Sequence, residues 1–248
     1  MHDKTRLAIT GVVAFVALGA TLGGHGLKIA IDSDDEPHER HEMLLPKLKD
    51  FRAVVLTGPD DVVISRGAQY AVKVEGDKDA VDQLNLAVED GALRIGRRAG
   101  GLGGHGGDAQ VHVTMPSLVG ISLIGSGDMR VDRLEGRQVR VDMLGAGNLD
   151  VAQMLADSAD VSLTGAGDLK IAGKAKTARL RTAGAGDIRA EGLTTDELKL
   201  DVVGAGDVAV RANKAAEISI VGPGKAQVIG TTACRISKTG PGDATCRG

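Results

Sequence analysis

Six acidic or amide residues recur at one spacing. Asp128, Asn148, Asp168, Asp187, Asp207 and Asp243 each stand three after the first glycine of a Gly-x-Gly tetrapeptide. A column of carboxylates is the raw material of a calcium site, because hard cations take oxygen ligands. Calcium-binding β-helical repeats also carry Gly and Asp at corners, but in the longer G-G-x-G-x-D-x-U-x spacing, which this chain lacks. Carboxylates stacked one strand apart, at about 4.8 Å, repel by roughly 3 kcal/mol at an effective dielectric near 20, so something must offset them. The plain offset is a backbone N–H of each residue's own turn donated to its side-chain oxygen. Asn148 can accept in the same way, and Lys225 would interrupt a column of cations. Turn capping is the expectation, and calcium binding is the alternative.

Other reactive groups are few. Cys234 and Cys246 are the only cysteines. His105 sits in the glycine-rich run RRAGGLGGHGGD (97–108), which lacks the GK[ST] ending of a phosphate-cradling loop and is expected to be a flexible surface loop. His112 alternates with Val111 and Val113 and is expected to point outward. His38 and His41 lie in the acidic stretch DSDDEPHERHE (32–42), which reads as a solvated linker. No Ser/His/Asp grouping is visible. β-Helical polysaccharide enzymes set acids and bases in a groove beside aromatic platforms, yet this chain has no Trp, one Tyr and two Phe. No catalysis, no catalytic residue, no metal and no cofactor are expected; a polysaccharide-processing enzyme is the remote alternative.

The elements that must hold these residues follow from a repeat. The first glycines of the tetrapeptides are Gly125, Gly145, Gly165, Gly184, Gly204, Gly222 and Gly240, spaced 20, 20, 19, 20, 18 and 18 apart. Third-position glycines are Gly127, Gly147, Gly167, Gly186, Gly206, Gly224 and Gly242. Four before each first glycine stand Ile121, Val141, Val161, Leu180, Leu200, Ile218 and Ile236, and four after it Met129, Leu149, Leu169, Ile188, Val208, Ala226 and Ala244. Positions six away are aliphatic or Cys as well, and intervening ones such as Arg140, Asp160, Arg179 and Lys170 are mostly polar. Alternation of period two on both sides of a turn predicts two short strands per repeat, each with one face in and one out. Glycines at the first and third positions allow a corner with positive φ, repeated at the same edge of every coil. Stacked repeats make an all-β solenoid, elongated, single-domain and of at least seven coils. Aliphatic ladders filling a narrow interior account for the scarcity of aromatics. Gly58-Pro59-Asp60-Asp61 reads as an eighth, N-terminal corner with Asp60 in place of the second glycine, and the runs beginning at Ala71 and Ala92 alternate like strands.

Cys234 and Cys246 occupy the inward positions six before and six after Gly240, which predicts a disulfide across the final coil; two reduced thiols in the core are the alternative.

Compartment is written at the N-terminus. Lys4 and Arg6 precede LAITGVVAFVALGATL, the charge-free run of residues 7–22. It is expected to be a hydrophobic helix, either an uncleaved membrane anchor or a cleaved signal peptide, and no cysteine stands near it for lipoprotein processing. With 30 Lys and Arg against 33 Asp and Glu, no basic surplus exists for nucleic acid. The expected organisation is an anchor or signal peptide over 1–26, a charged linker over 27–50 and a β-solenoid over 51–248.

Through VHVTMPSLVGISLIGSGDMRV (111–131) and the repeated G-[SA]-G-[DN] corners, the chain resembles the bacterial head GIN domain family, described as "putative auto-transporter adhesin". The resemblance covers about residues 51–248. It implies a right-handed single-stranded β-helix exported to the envelope, on the non-cytoplasmic side, in a family without established catalytic residues. Pro223, Lys225 and Pro241 depart from the usual corner. The expected partners are the membrane, through residues 7–22 where uncleaved, and an envelope protein, a surface polymer or a second copy.

Overall fold

A computed structural model describes residues 40–98 and 107–248. The expected hydrophobic helix over 7–22 and most of the expected linker lie outside these residues, as does His105. Among the described residues no helix is long and apolar enough to cross a membrane. One part of the expected linker is ordered: Arg40–Leu44 is a strand, β1, because it completes an antiparallel edge against Ala71–Asp77.

The N-terminal portion contains β1, β2 (Ala53–Gly58), β3 (Asp61–Arg66), β4 (Ala71–Asp77), a short helix α1 (Lys78–Gln83), β5 (Leu84–Glu89), β6 (Ala92–Arg97) and β7 (Ala109–Met115). The repeats form β8 (Gly120–Gly125), β9 (Met129–Gly145), β10 (Asn148–Gly165), β11 (Asp168–Gly184), β12 (Ile188–Gly204), β13 (Asp207–Val221), β14 (Lys225–Ile229), β15 (Cys234–Thr239) and β16 (Asp243–Arg247). The seven corners enclose about six solenoid turns, fewer than the seven coils expected by counting corners.

All pairing within the solenoid is parallel and in register with the sequence repeat. Gly125 stands opposite Gly145, Gly145 opposite Gly165, Gly165 opposite Gly184 and Gly184 opposite Gly204. Gly58 pairs with Gly125 and Val62 with Met129, so the N-terminal corner is a coil of the same stack. The expectation of two short strands per repeat needs correction. Strands β9 to β12 are 17 to 18 residues long and run from one corner to the next, bending once on the way. The ladder continues through that bend with only local register shifts, such as the one between Val151 and Met154.

Inward positions form the core. Val141, Val161, Leu180, Leu200 and Ile218 are fully buried, while Arg140, Arg179 and Lys170 are exposed. In the last coil Ile236 is 41% exposed, since no further coil covers it there. The N-terminal end is built differently. Antiparallel β1·β4·β7 extends one wall and β5·β6 the other, and Phe51 packs against Tyr70 with tilted rings whose centroids are 4.9 Å apart, the Tyr70 hydroxyl donating to the Phe51 carbonyl.

An aspartate at an inward position would bury a charge among aliphatic ladders with no partner. Val161→Asp or Leu200→Asp is therefore expected to destabilise by several kcal/mol, against less than about 1 kcal/mol for the exposed Arg179→Asp. Thermal melting followed by circular dichroism checks this, and equal melting of all three variants would overturn the inward assignment.

Candidate functional site

The corner column is the candidate site, and its geometry begins with the glycines. First-position glycines have left-handed φ, +135° at Gly125 and +142° at Gly145. Third-position glycines do not share this conformation. Their requirement is close approach: a Cβ on Gly147 would lie 2.0 Å from the Gly127 carbonyl oxygen, and one on Gly167 2.1 Å from that of Gly147. Gly186, Gly206 and Gly242 face the same obstacle, each with a backbone oxygen of the preceding coil within 2.6 Å.

Coils are tied at the corner by amides. Ala146, Ala166, Ala185 and Ala205 donate to the first-glycine carbonyls one coil earlier, of Gly125, Gly145, Gly165 and Gly184. Pro223 and Pro241 have no N–H to give. Their neighbours Gly224 and Gly242 donate instead, to Gly204 and Gly222, so both departures from the usual corner keep the stack intact.

Aspartates continue the tie outward, though not as expected. Their side chains accept from the backbone of the next coil and not from their own turn. Asp61 Oδ1 accepts from Asp128 N at 3.0 Å, Asp128 Oδ1 from Asn148 N at 2.9 Å, Asp187 Oδ1 from Asp207 N at 3.0 Å and Asp207 Oδ1 from Lys225 N at 3.1 Å. Asn148 Nδ2 also donates to Asp128, at 2.9 Å. Arg189 spans two rungs, with Nη1 3.2 Å from Asp168 and Nη2 3.7 Å from Asp187, and Lys238 lies 3.7 Å from Asp243. Like charges one coil apart are thus separated by amide donors and a guanidinium. Among the described residues no group of three or more His, Cys, Asp or Glu is placed to hold a metal ion.

The final coil holds the expected covalent link. Cys234 and Cys246 form a disulfide with Cα atoms 6.6 Å apart. This is inside the ~7 Å reach that limits such bridges. His112 points outward as expected, its Nε2 3.0 Å from Glu75 Oε1. Lys73 and then His112 hold the Glu75 carboxyl below its usual range.

One charged site escaped sequence reasoning. Arg97 closes β6 instead of opening a surface loop, and its guanidinium grips the fully buried Asp60 carboxylate, with Nη2 2.6 Å from Oδ1 and Nε 3.0 Å from Oδ2. The signal was present: Asp60 stands where other corners require glycine, and the Cβ is tolerated because no regular coil precedes it.

The outer walls are charged and paired across coils. Arg181 meets Asp160 at 3.1 Å and Lys199 meets Glu217 at 3.4 Å. Along the bend midway between corners, Lys176 meets Asp157 at 2.7 Å and Lys214 meets Asp196 at 2.8 Å. Each of these lysines holds its carboxylate partner below the usual range. The bend carries a shallow groove of about 600 Å³, in which Arg137, Lys174 and Lys176 alternate with Glu135, Asp157 and Asp196.

This architecture is shared with proteins of known structure. A putative adhesin from Bacteroides fragilis superposes with a TM-score of 0.73 at 23% identity, covering 84% of this chain and 97% of that one. From Parabacteroides distasonis, a protein described as a "putative lipid binding protein" gives 0.67 at 19%, covering 86% and 98%, and a "putative adhesin" gives 0.64 at 20% over the same shares. These likenesses establish the fold. No curated protein sequence matches the chain. The family model described as "putative auto-transporter adhesin, head GIN domain" matches residues 50–232, and the chain belongs to that family.

Two outcomes follow from the corner and the last coil. Asp128→Ala should cost about 1 kcal/mol through the loss of two accepted hydrogen bonds, while Asp128→Asn, which keeps an accepting oxygen, should cost less than half of that. Denaturant titration separates the two. Protein isolated under non-reducing conditions should take up no alkylating reagent at Cys234 or Cys246, and reduction should add two labels and lower the melting temperature, since closing a loop of this size contributes about 3 kcal/mol. Intact mass measures the first and calorimetry the second.

Proposed function

We propose that this chain is an exported, envelope-associated interaction module that performs no catalysis and engages a surface polymer, another envelope protein or a second copy through its outward walls. The carrying observation is the solenoid's outer register. Side chains five before the corner glycines from Gly145 onward, Arg140, Asp160, Arg179, Lys199, Glu217 and Arg235, are displayed one coil apart on a backbone fixed by its neighbours. Ion pairs between coils hold several of them in place, so an extended partner meets a preformed row of charges without ordering it first.

Export is supported by the disulfide, which belongs to oxidising compartments, by the charge-free run 7–22 behind Lys4 and Arg6, and by the adhesin description of the family. Residues 7–22 then serve as a single-pass anchor or a removed signal peptide. The finer architecture consistent with this family is a right-handed β-helix. The corner carboxylates act here as register keepers: Oδ1 of Asp128, Asp187 and Asp207 is already occupied by the next coil's amide.

Cell fractionation with N-terminal sequencing tests the compartment. A mature N-terminus near residue 20 or an intact Met1 in the membrane fraction is expected, and a soluble cytoplasmic pool overturns the reading. Millimolar calcium is expected to leave the melting temperature unchanged; a rise of several degrees that is lost in Asp207→Asn would move the assignment to a calcium-dependent binder.

A further inference from the structure

The N-terminal end of the solenoid carries a cleft that the outer walls do not. Strands β1, β4 and β5 and helix α1 enclose a space of about 430 Å³, on the scale of small-ligand pockets. Its apolar lining is Met43, Leu45, Val74, Val81, Leu84 and Leu86. Val74, Val81 and Leu84 are buried, while Met43 is 41% exposed. Strand register explains the arrangement: Met43 stands opposite Val74, so alternation turns both side chains to this face, and Leu44 opposite Lys73 turns to the other.

Polar groups at the cleft differ in how they are engaged. Asp82 is paired with Lys78 at 2.8 Å, which holds its carboxyl below the usual range. Arg98 reaches the Asp82 carbonyl at 3.5 Å and acts on the Asp82 carboxylate through space, but among the described residues no carboxylate lies within ion-pair distance of its guanidinium. The combination is an aliphatic trough with an exposed guanidinium beside it. That is the complement of a hydrocarbon chain bearing an anionic phosphate head, since the chain gains by leaving water and the guanidinium can take phosphate in a bidentate hydrogen bond.

We propose that this cleft receives an acyl chain of an anionic phospholipid, with the phosphate on Arg98, and so seats the N-terminal end of the solenoid on a bilayer. The source of the lipid rests on the envelope reading above; the ligand chemistry rests on the cleft. Chain length agrees with the placement. The charge-free run ends at Leu22, and the 17 residues between it and Arg40 reach at most about 60 Å, so a bilayer-embedded run keeps β1 within that distance of the lipid.

The test uses the full chain with phosphatidylglycerol vesicles containing a photoactivatable diazirine on the acyl chain, and peptide mass spectrometry locates the adducts. Adducts are expected on peptides holding Met43–Leu45 and Val81–Leu86. They should fall about fivefold in Arg98→Glu and by a similar factor in phosphatidylcholine vesicles. Met43→Gln, at a half-exposed position, should reduce them while circular dichroism and melting stay unchanged. Adducts confined to residues 7–22, or cleft adducts indifferent to head-group charge and to Arg98→Glu, overturn the proposal. A cleft without label, because the chain's own N-terminal residues or a second copy cover it, overturns it as well. Cleft adducts with none on residues 7–22 would remove the anchor and leave the lipid site standing.

Discussion

The rise from coil to coil, set by the parallel hydrogen-bond ladder at about 4.8 Å, governs every corner of this solenoid. At that spacing the first-glycine carbonyl of one coil lies beneath the corner of the next, and a Cβ at either glycine position would strike backbone atoms near 2 Å. Two different demands therefore select the same residue type. The first glycine must adopt a left-handed φ as well as clear the carbonyl; the third only has to clear it. Corner aspartates answer the same spacing from the outside, because a carboxylate three residues on can reach the amide one coil away. A ladder of like charges becomes tolerable when a rung is bonded to the backbone of its neighbour, as at Asp128, Asp187 and Asp207, or faces a cation, as Asp168 faces Arg189.

Departures from the repeat obey this constraint. Proline at the second corner position removes one inter-coil donor, and the following glycine amide supplies another to the same row of carbonyls. Asp60 is tolerated at a glycine position only where no regular coil lies beneath it, and there its buried charge is matched by Arg97. Coil length falls from 20 to 18 residues toward the C-terminus without disturbing the corner register, since the shortening is absorbed midway between corners where β12 pairs with β13, whose register shifts between Ala190 and Thr194 and again between Thr195 and Glu197.

Much of this was legible in the sequence because a solenoid converts sequence period directly into spatial neighbours. Ladders at four and six from each glycine, the N-terminal corner at Gly58 and the Cys234–Cys246 pair could all be read, since each depends on position within one repeat. Features that depend on the relation between repeats were harder. For the aspartate acceptors, the sequence does not say that the next coil's amide is a nearer donor than one of their own turn. Arg97 looked like loop because its partner Asp60 lies 37 residues earlier. Strand β1 was hidden by acidic composition, its order coming from an antiparallel edge with β4 that no local pattern announces.

A stack of near-identical coils leaves individuality to its ends. Along the middle, outward side chains are fixed by the register and several are answered by a partner one coil away, as in Arg181 with Asp160 and Lys199 with Glu217, so that substitutions there alter charge more than shape. The ends must instead terminate open ladders, and each does so with chemistry found nowhere else among the described residues. A disulfide joins the two walls of the last coil, where inward positions lose their cover and Lys238 stands in the row that holds Leu163 and Val202 elsewhere. A charged inward residue beside an unpaired strand opposes edge-to-edge pairing. At the other end antiparallel strands, a short helix, an aromatic pair and a buried ion pair replace the repeat, and the imperfect fit among them opens an apolar cleft. Closure of a repetitive core and creation of a non-repetitive concave surface are thus one structural event.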